Sequence, residues 1–184
     1  MMAKCGEEYS IEVQILNKEN IRYTEKFYCG NDSIDDYFRH QAEKDQTAVT
    51  YLFIDKDEDA LIACVTLACS AIFNAAGDFS TIFSAIEIKY FALDEKYQHI
   101  PYRKDKKRPT LADMLLDYML YTIEEISHNK VGASKIVLYS VKKAINFYKR
   151  HAFKEFGDSM YGDKGYYVDG CQPMYFDLNE PLID

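Results

Sequence analysis

Two stretches of this sequence hold residues whose types and spacing could do chemistry. The first is a run of cations, Lys96, Arg103, Lys104, Lys106, Lys107 and Arg108, opposed by Asp105. It leads straight into Pro109-Thr110-Leu111-Ala112-Asp113. Thr110 with Asp113 three residues on is a capping-box variant, which predicts a helix start. A helix start exposes unpaired N–H groups and a partial positive charge. A strand, a basic loop and a helix N-terminus in succession would suit an anion, most naturally a phosphorylated ligand. A solvated charged tip fits the same charges, and an anion seated there would require the Asp113 carboxylate to face away. The second stretch is Ala144-Ile145-Asn146-Phe147-Tyr148-Lys149-Arg150-His151-Ala152-Phe153. Helical spacing puts Ala144, Phe147 and Tyr148 on one face, so the phenol lies on the apolar side, where core packing alone would also account for it.

Several other chemistries have no support. There is no GxxxxGK[ST] or GxGxxG for a nucleotide, and no GxSxG or HExxH. The four histidines, His40, His99, His128 and His151, are scattered singly, which argues against a metal centre. The five cysteines, Cys5, Cys29, Cys64, Cys69 and Cys171, form no CxxC pair, and their number is odd. Buried thiols in a reducing compartment are therefore expected rather than a disulfide framework.

The elements that must position these residues come from a chain of 184 residues, 48% hydrophobic and 28% charged. That length and composition predict one globular domain, residues 1–184, with a core that needs no metal or disulfide. No apolar run approaches the roughly 18 residues of a membrane span. Met1 to Ser10 has no secretory pattern, so the cytosol is the expected compartment and a membrane is not an expected partner. Thirty acidic against 22 basic residues give a net charge of −8, which disfavours non-specific nucleic-acid binding. Sixteen tyrosines and no tryptophan suit a core with a partly polar rim.

Ile11 to Leu16 alternates as a strand. A helix is expected through Ile34, Tyr37, Phe38 and Ala42, capped by Asp32 or Ser33. Val49 to Ile54 and Leu61 to Cys69 read as a hairpin around the acidic, solvated loop Asp55 to Asp59, and Ile86 to Leu93 as a further strand. Leu111, Leu115, Tyr118, Met119, Thr122, Ile123 and Ile126 share one face of a strong helix. Lys135 to Tyr139 is a strand, Val141 to His151 a helix and Gln172 to Leu178 a closing strand. This order predicts a mixed-sheet α/β or α+β domain.

Phe147-Tyr148 followed by Ala152-Phe153 matches the FY…[G/A]F signature of the GCN5-related N-acetyltransferase superfamily. Phe91-Ala92-Leu93 followed by Tyr97-Gln98 resembles that family's central strand and its YQG turn. Phe27-Tyr28-Cys29-Gly30 with Ile34-Asp35-Asp36-Tyr37-Phe38 is similar to the branch that contains tRNA-acetylating toxins. The resemblance implies a mixed, mostly antiparallel central sheet flanked by helices. It also implies transfer of an acetyl group from acetyl-CoA, as co-substrate and without a metal, to an amine.

The resemblance implies roles for individual residues as well. Tyr148 would be the general acid for the departing thiolate. Glu87 would be the base, as in the histone-modifying branch, unless it is the solvent-facing residue of an alternating strand. Backbone groups of Phe91, Ala92 and Leu93 would hold the acetyl and pantetheine arm, and Asn146 would be a further cofactor contact. The family's [RQ]-x-x-G-x-[GA] is the point of departure, because no glycine occurs between Gly77 and Gly132. The nearest register is Lys107-Arg108-Pro109-Thr110-Leu111-Ala112. It assigns Lys107, Arg108, Thr110, Leu111 and Ala112 to the diphosphate, with an insertion after Gln98.

Three functions remain in competition: an N-acetyltransferase, an inactive acyl-CoA-binding or protein-interaction module, and a toxin acetylating aminoacyl-tRNA, with or without an antitoxin. The acceptor, the acyl length and the choice between monomer and homodimer stay open.

Overall fold

The structure is a computed structural model that describes residues 9–103, 106–162 and 170–180, without the side chains of residues 76 and 106–108. In chain order the elements begin with β1 (Ile11–Ile15), α1 (Asp32–Asp36), β2 (Ala48–Asp55), β3 (Ala60–Ala76) and β4 (Phe79–Leu93). They continue with β5 (Pro101–Arg103), β6 (Lys106–Thr110), α2 (Leu111–Ile126), β7 (Lys135–Val141) and α3 (Ile145–Arg150). β8 (Lys154–Glu155), β9 (Met160–Gly162) and β10 (Cys171–Asp177) complete the described elements. The architecture is the mixed, mostly antiparallel sheet flanked by helices that the resemblance implies.

The chain divides into two compact units. One runs to Leu67 and resumes over Tyr90–Tyr118; the other takes Ala68–Lys89 and everything from Met119. In the first, the strand order is β1-β2-β3-β4, and β1 is antiparallel to β2 with Ile11 opposite Asp55. Its core gathers Phe27, Tyr37, Phe38, Leu52, Ile54, Leu61, Cys64 and Ala92. Edge-on aromatic contacts bind it, with Phe27 and Phe38 centroids 5.4 Å apart and Phe38 and Tyr90 5.7 Å apart. In the second unit the order is β9-β3-β4-β7-β10-β8. β4 and β7 pair in parallel over Ala85–Glu87 with Lys135–Val137, and β10 returns antiparallel to β7. Ile72, Ala85 and Val137 are its core, with Phe83, Phe156, Met160 and Tyr175 packed on them.

Several expectations change. The cap of α1 is Asn31, whose side-chain Oδ1 accepts from the amides of Ser33 and Ile34. α1 passes into a π-turn, Tyr37–Gln41, closed by the Ala42 amide on the Tyr37 carbonyl at 2.8 Å. That keeps Tyr37, Phe38 and Ala42 buried, as the spacing required. Asp55 does not belong to a solvated loop: it is buried, and its carboxylate accepts from the amides of Asp57 (3.0 Å) and Glu58 (3.4 Å). β3 and β4 are 17 and 15 residues long, roughly twice their apolar cores. The expected basic loop contains the hairpin β5–β6, with Arg103 opposite Lys106. β7 extends to Val141, so the helix after it begins later, through the 3₁₀ turn Lys142–Ala144. Of the described thiols, Cys64 is buried, Cys29 and Cys171 are half-buried and Cys69 is exposed, while Cys5 lies outside the described residues.

Burial leaves a pH signature. It pushes the Cys29 thiol and the Tyr97 phenol up to about 12, and it raises the Tyr37 and Tyr148 phenols. All four groups hold their protons more tightly folded than unfolded. Their contribution is complete below the ordinary thiol and phenol values and is lost as pH rises from about 9 upward. The urea midpoint is expected to hold between pH 7 and 8 and to fall by pH 10. A midpoint at pH 10 equal to that at pH 7 would contradict the burial of these groups.

Candidate active site

In the first unit the end of β4 is clipped to the N-terminal segment. Ala92 and Leu93 are buried and Phe91 is half-buried. Asp94 caps the 3₁₀ turn Glu95–Tyr97, its carboxylate accepting from the amides of Lys96 and Tyr28, both at 3.1 Å. The Glu95 amide donates to the Tyr28 carbonyl at 2.8 Å. The Gln98 side-chain amide forks between the carbonyls of Cys29 (2.9 Å) and Leu93 (3.0 Å). The stretches Phe27–Gly30 and Tyr97–Gln98, which matched separately in sequence, are thus joined through hydrogen bonds. Neither exposes enough apolar periodicity to have predicted the fork.

The helix start forms as the capping box requires. The Thr110 amide (2.8 Å) and hydroxyl (2.6 Å) both donate to Asp113 Oδ2, and the Asp113 amide donates back to Thr110 Oγ1 at 3.2 Å. Leu111 is fully buried and its amide donates to the Ile100 carbonyl at 2.9 Å. Thr110 also pairs with Pro101 across the β5–β6 hairpin. Asp113 therefore does not face away from the helix start. Its carboxylate folds over it, only 6% exposed. Pro109 has no N–H, and the Thr110, Leu111 and Asp113 amides already have acceptors. This donor set does not fit a diphosphate seated on the helix start in the manner the resemblance implies. Ala112 is half-buried. The backbones of Lys107 and Arg108 lie in β6, their side chains outside the described residues, as is all of Lys104.

In the second unit β4 carries Glu87, opposite Val137 of β7. Ala85, Ile86, Glu87 and Ile88 are all buried, so β4 is covered on both faces here and the solvent-facing reading of Glu87 is wrong. Alternation on a strand cannot reveal this, since a strand covered on both faces has no wet side. Tyr148 of α3 is 8% exposed, packed against Phe147 (5.1 Å) and Phe153 (5.6 Å). Its carbonyl accepts from the amides of His151 (2.9 Å) and Phe153 (3.1 Å). Between them Ala152 is left-handed, φ +62°, a conformation that glycine alone adopts without a Cβ penalty. Burial raises the phenol, so Tyr148 stays protonated throughout the neutral range. Asn146 is exposed, and its carbonyl accepts from Arg150 Nη1 at 3.3 Å.

Two open hollows of about 350 and 370 Å³ lie in the first unit, sharing Lys96 and Tyr97. Among the described lining residues, Lys96 is the one that belongs to the basic run, and Tyr148, Glu87, Phe91, Ala92, Leu93 and Thr110 are not among them. Among the described residues, no three His, Cys, Asp or Glu side chains converge as a metal site would need, and no helix is long and apolar enough to cross a membrane.

No family model and no curated protein matches the sequence. Solved structures do. The chain is similar to a bacterial toxin at 18% identity, covering 93% of this chain and 92% of that one, with a TM-score of 0.68. It is similar to a tyrosine-to-phenylalanine variant of the toxin AtaT, bound to the C-terminus of its antitoxin AtaR and to acetyl-CoA. There the identity is 14%, the coverage 91% and 93%, and the TM-score 0.66. AtaT complexed with an acetyl-methionyl-tRNA matches at 15% identity, 91% and 95% coverage and a TM-score of 0.66. The chain has the GCN5-related N-acetyltransferase fold, in the form taken by the AtaT- and KacT-type toxins.

Proposed function

We propose that this chain is an N-acetyltransferase that moves an acetyl group from a thioester, acetyl-CoA in the first instance, to an amine. The observation that carries this reading is the Ala144–Phe153 segment. Tyr148, to which the resemblance gives the acid's role, is buried and protonated there, and the backbone turn at Ala152 is bonded to its carbonyl.

In the reaction the amine nitrogen bonds to the thioester carbonyl carbon, the carbon–sulfur bond breaks, and the sulfur leaves as a thiolate. Tyr148 gives that thiolate its proton. Burial makes the phenol a weaker acid, but it also destabilises a thiolate formed in the same dry surroundings, so the transfer stays near balance. Glu87, buried on β4 of the same unit beside Val137 of β7, is the carboxylate assigned to take the amine's proton.

The acceptor is the open part of the reading. AtaT's tRNA complex makes aminoacyl-tRNA the first acceptor class to try, although the net charge of −8 opposes a polyanion. The test supplies the purified chain with acetyl-CoA and, in turn, aminoacyl-tRNA, peptide N-termini and small diamines, reading thiol release and acceptor mass together. Amine-dependent thiol release with an acetylated product is expected from one class. Thiol release equal with and without every amine would set the reading aside. The closed helix start favours the second reading, a module that kept the fold and lost donor binding, and this would show as no thermal shift with millimolar acetyl-CoA.

A further inference from the structure

Resting on the thioester-transfer reading, we propose that this chain recognises its acyl donor by the thioester and pantetheine end alone, and that the Thr110–Asp113 cap leaves the nucleotide diphosphate ungripped. Asp113 is then the residue that sets this donor specificity.

A diphosphate docks on a helix start because N–H groups there lack acceptors and the local potential is positive. At the start of α2, three of these N–H groups already have acceptors. The Thr110 amide is spent on Asp113 Oδ2 at 2.8 Å, the Asp113 amide on Thr110 Oγ1 at 3.2 Å, and the Leu111 amide on the Ile100 carbonyl at 2.9 Å. Pro109 contributes no donor. The buried Asp113 carboxylate puts a formal negative charge in the first turn, where it is stabilised by the helix dipole and repels a second anion. The β5–β6 hairpin adds a steric reason. Thr110 is its last residue, paired with Pro101, and its Cβ occupies the approach that glycine would leave open. A pantetheine arm carries neutral amides, which a strand edge can bind through its backbone without any anion site. Closing the helix start removes the nucleotide's share of the affinity and leaves the arm's share intact.

The experiment titrates the full chain calorimetrically with CoA, with pantetheine and with adenosine 3′,5′-bisphosphate, alongside turnover of acetyl-CoA and acetyl-pantetheine. CoA and pantetheine are expected to bind within about threefold of each other, and the nucleotide fragment to give no heat at millimolar concentration. In Asp113→Asn, which keeps an acceptor for the cap and loses the charge, CoA should bind about fivefold tighter while pantetheine is unchanged. CoA binding about a hundredfold tighter than pantetheine, or the nucleotide fragment binding on its own, overturns this inference and leaves the transferase reading standing. No binding of either thiol and no transfer from either thioester overturns the transferase reading, and this inference with it. The wild-type comparison decides the matter even if the variant folds poorly.

Discussion

The Tyr148→Phe chain is expected to lose about two to four orders of magnitude in turnover while keeping its fold and its donor affinity. The change removes one oxygen from a ring held between Phe147 and Phe153, so packing is conserved. Melting should move by no more than a conservative core swap allows, about 1 kcal/mol or less. The phenol's raised value also bears on the pH profile. Because Tyr148 stays protonated past the ordinary phenol range, the wild-type rate should show no alkaline loss from this group up to about pH 10. Full turnover in Tyr148→Phe, measured by thiol release at saturating donor, would reduce Tyr148 to a packing residue.

The largest expected effect on stability is at Lys135. Its ammonium pairs with the Asp177 carboxylate directly across the β7–β10 ladder, with side chains only 11% and 15% exposed. It also lies 5.0 Å from the Phe83 ring centroid. Burial alone would raise the Asp177 carboxyl. The hydrogen bond from Lys135, the Asn179 amide and the Lys135 charge outweigh it and leave the group below its ordinary value. Lys135→Ala strands that carboxylate and should cost about 3–5 kcal/mol in urea unfolding. The double variant Lys135→Met, Asp177→Leu should recover most of the loss, because two apolar side chains leave no buried charge. The sign in pH follows. A depressed carboxyl stabilises the fold above its ordinary value of about 3.9, and that contribution is lost as pH falls through its folded value. Asp177→Asn should flatten this acid limb. A Lys135→Ala chain as stable as the wild type would show the pair to be balanced by its own desolvation.

What could be read from the sequence was local and periodic. α2 came with its start and its apolar face, because Thr110-x-x-Asp113 is a short-range hydrogen-bond device and Leu111, Leu115, Met119 and Ile123 repeat at helical spacing. The Asp55–Asp59 hairpin was visible because β-rich runs flank a polar break. Features set by distant partners were not visible. Glu87 looked wet because alternation assumes one dry face, and β4 is covered on both over Ala85–Ile88. The β5–β6 hairpin was hidden because Pro-Tyr-Arg and a lysine run have poor strand propensity and form only three- and five-residue strands. Helix-start chemistry was legible as a motif, while the occupancy of its amides was not, because Ile100 reaches Leu111 only once the hairpin has closed.

Ala152 has a bearing on how distant relatives can be recognised. A signature position that accepts glycine or alanine records a dihedral angle, not a chemical group. Holding a methyl group at that angle costs about 1–2 kcal/mol, which a lineage with stability to spare can carry. A pattern insisting on glycine would discard this chain and any other that made the same concession, so such positions are better matched by backbone shape than by letter.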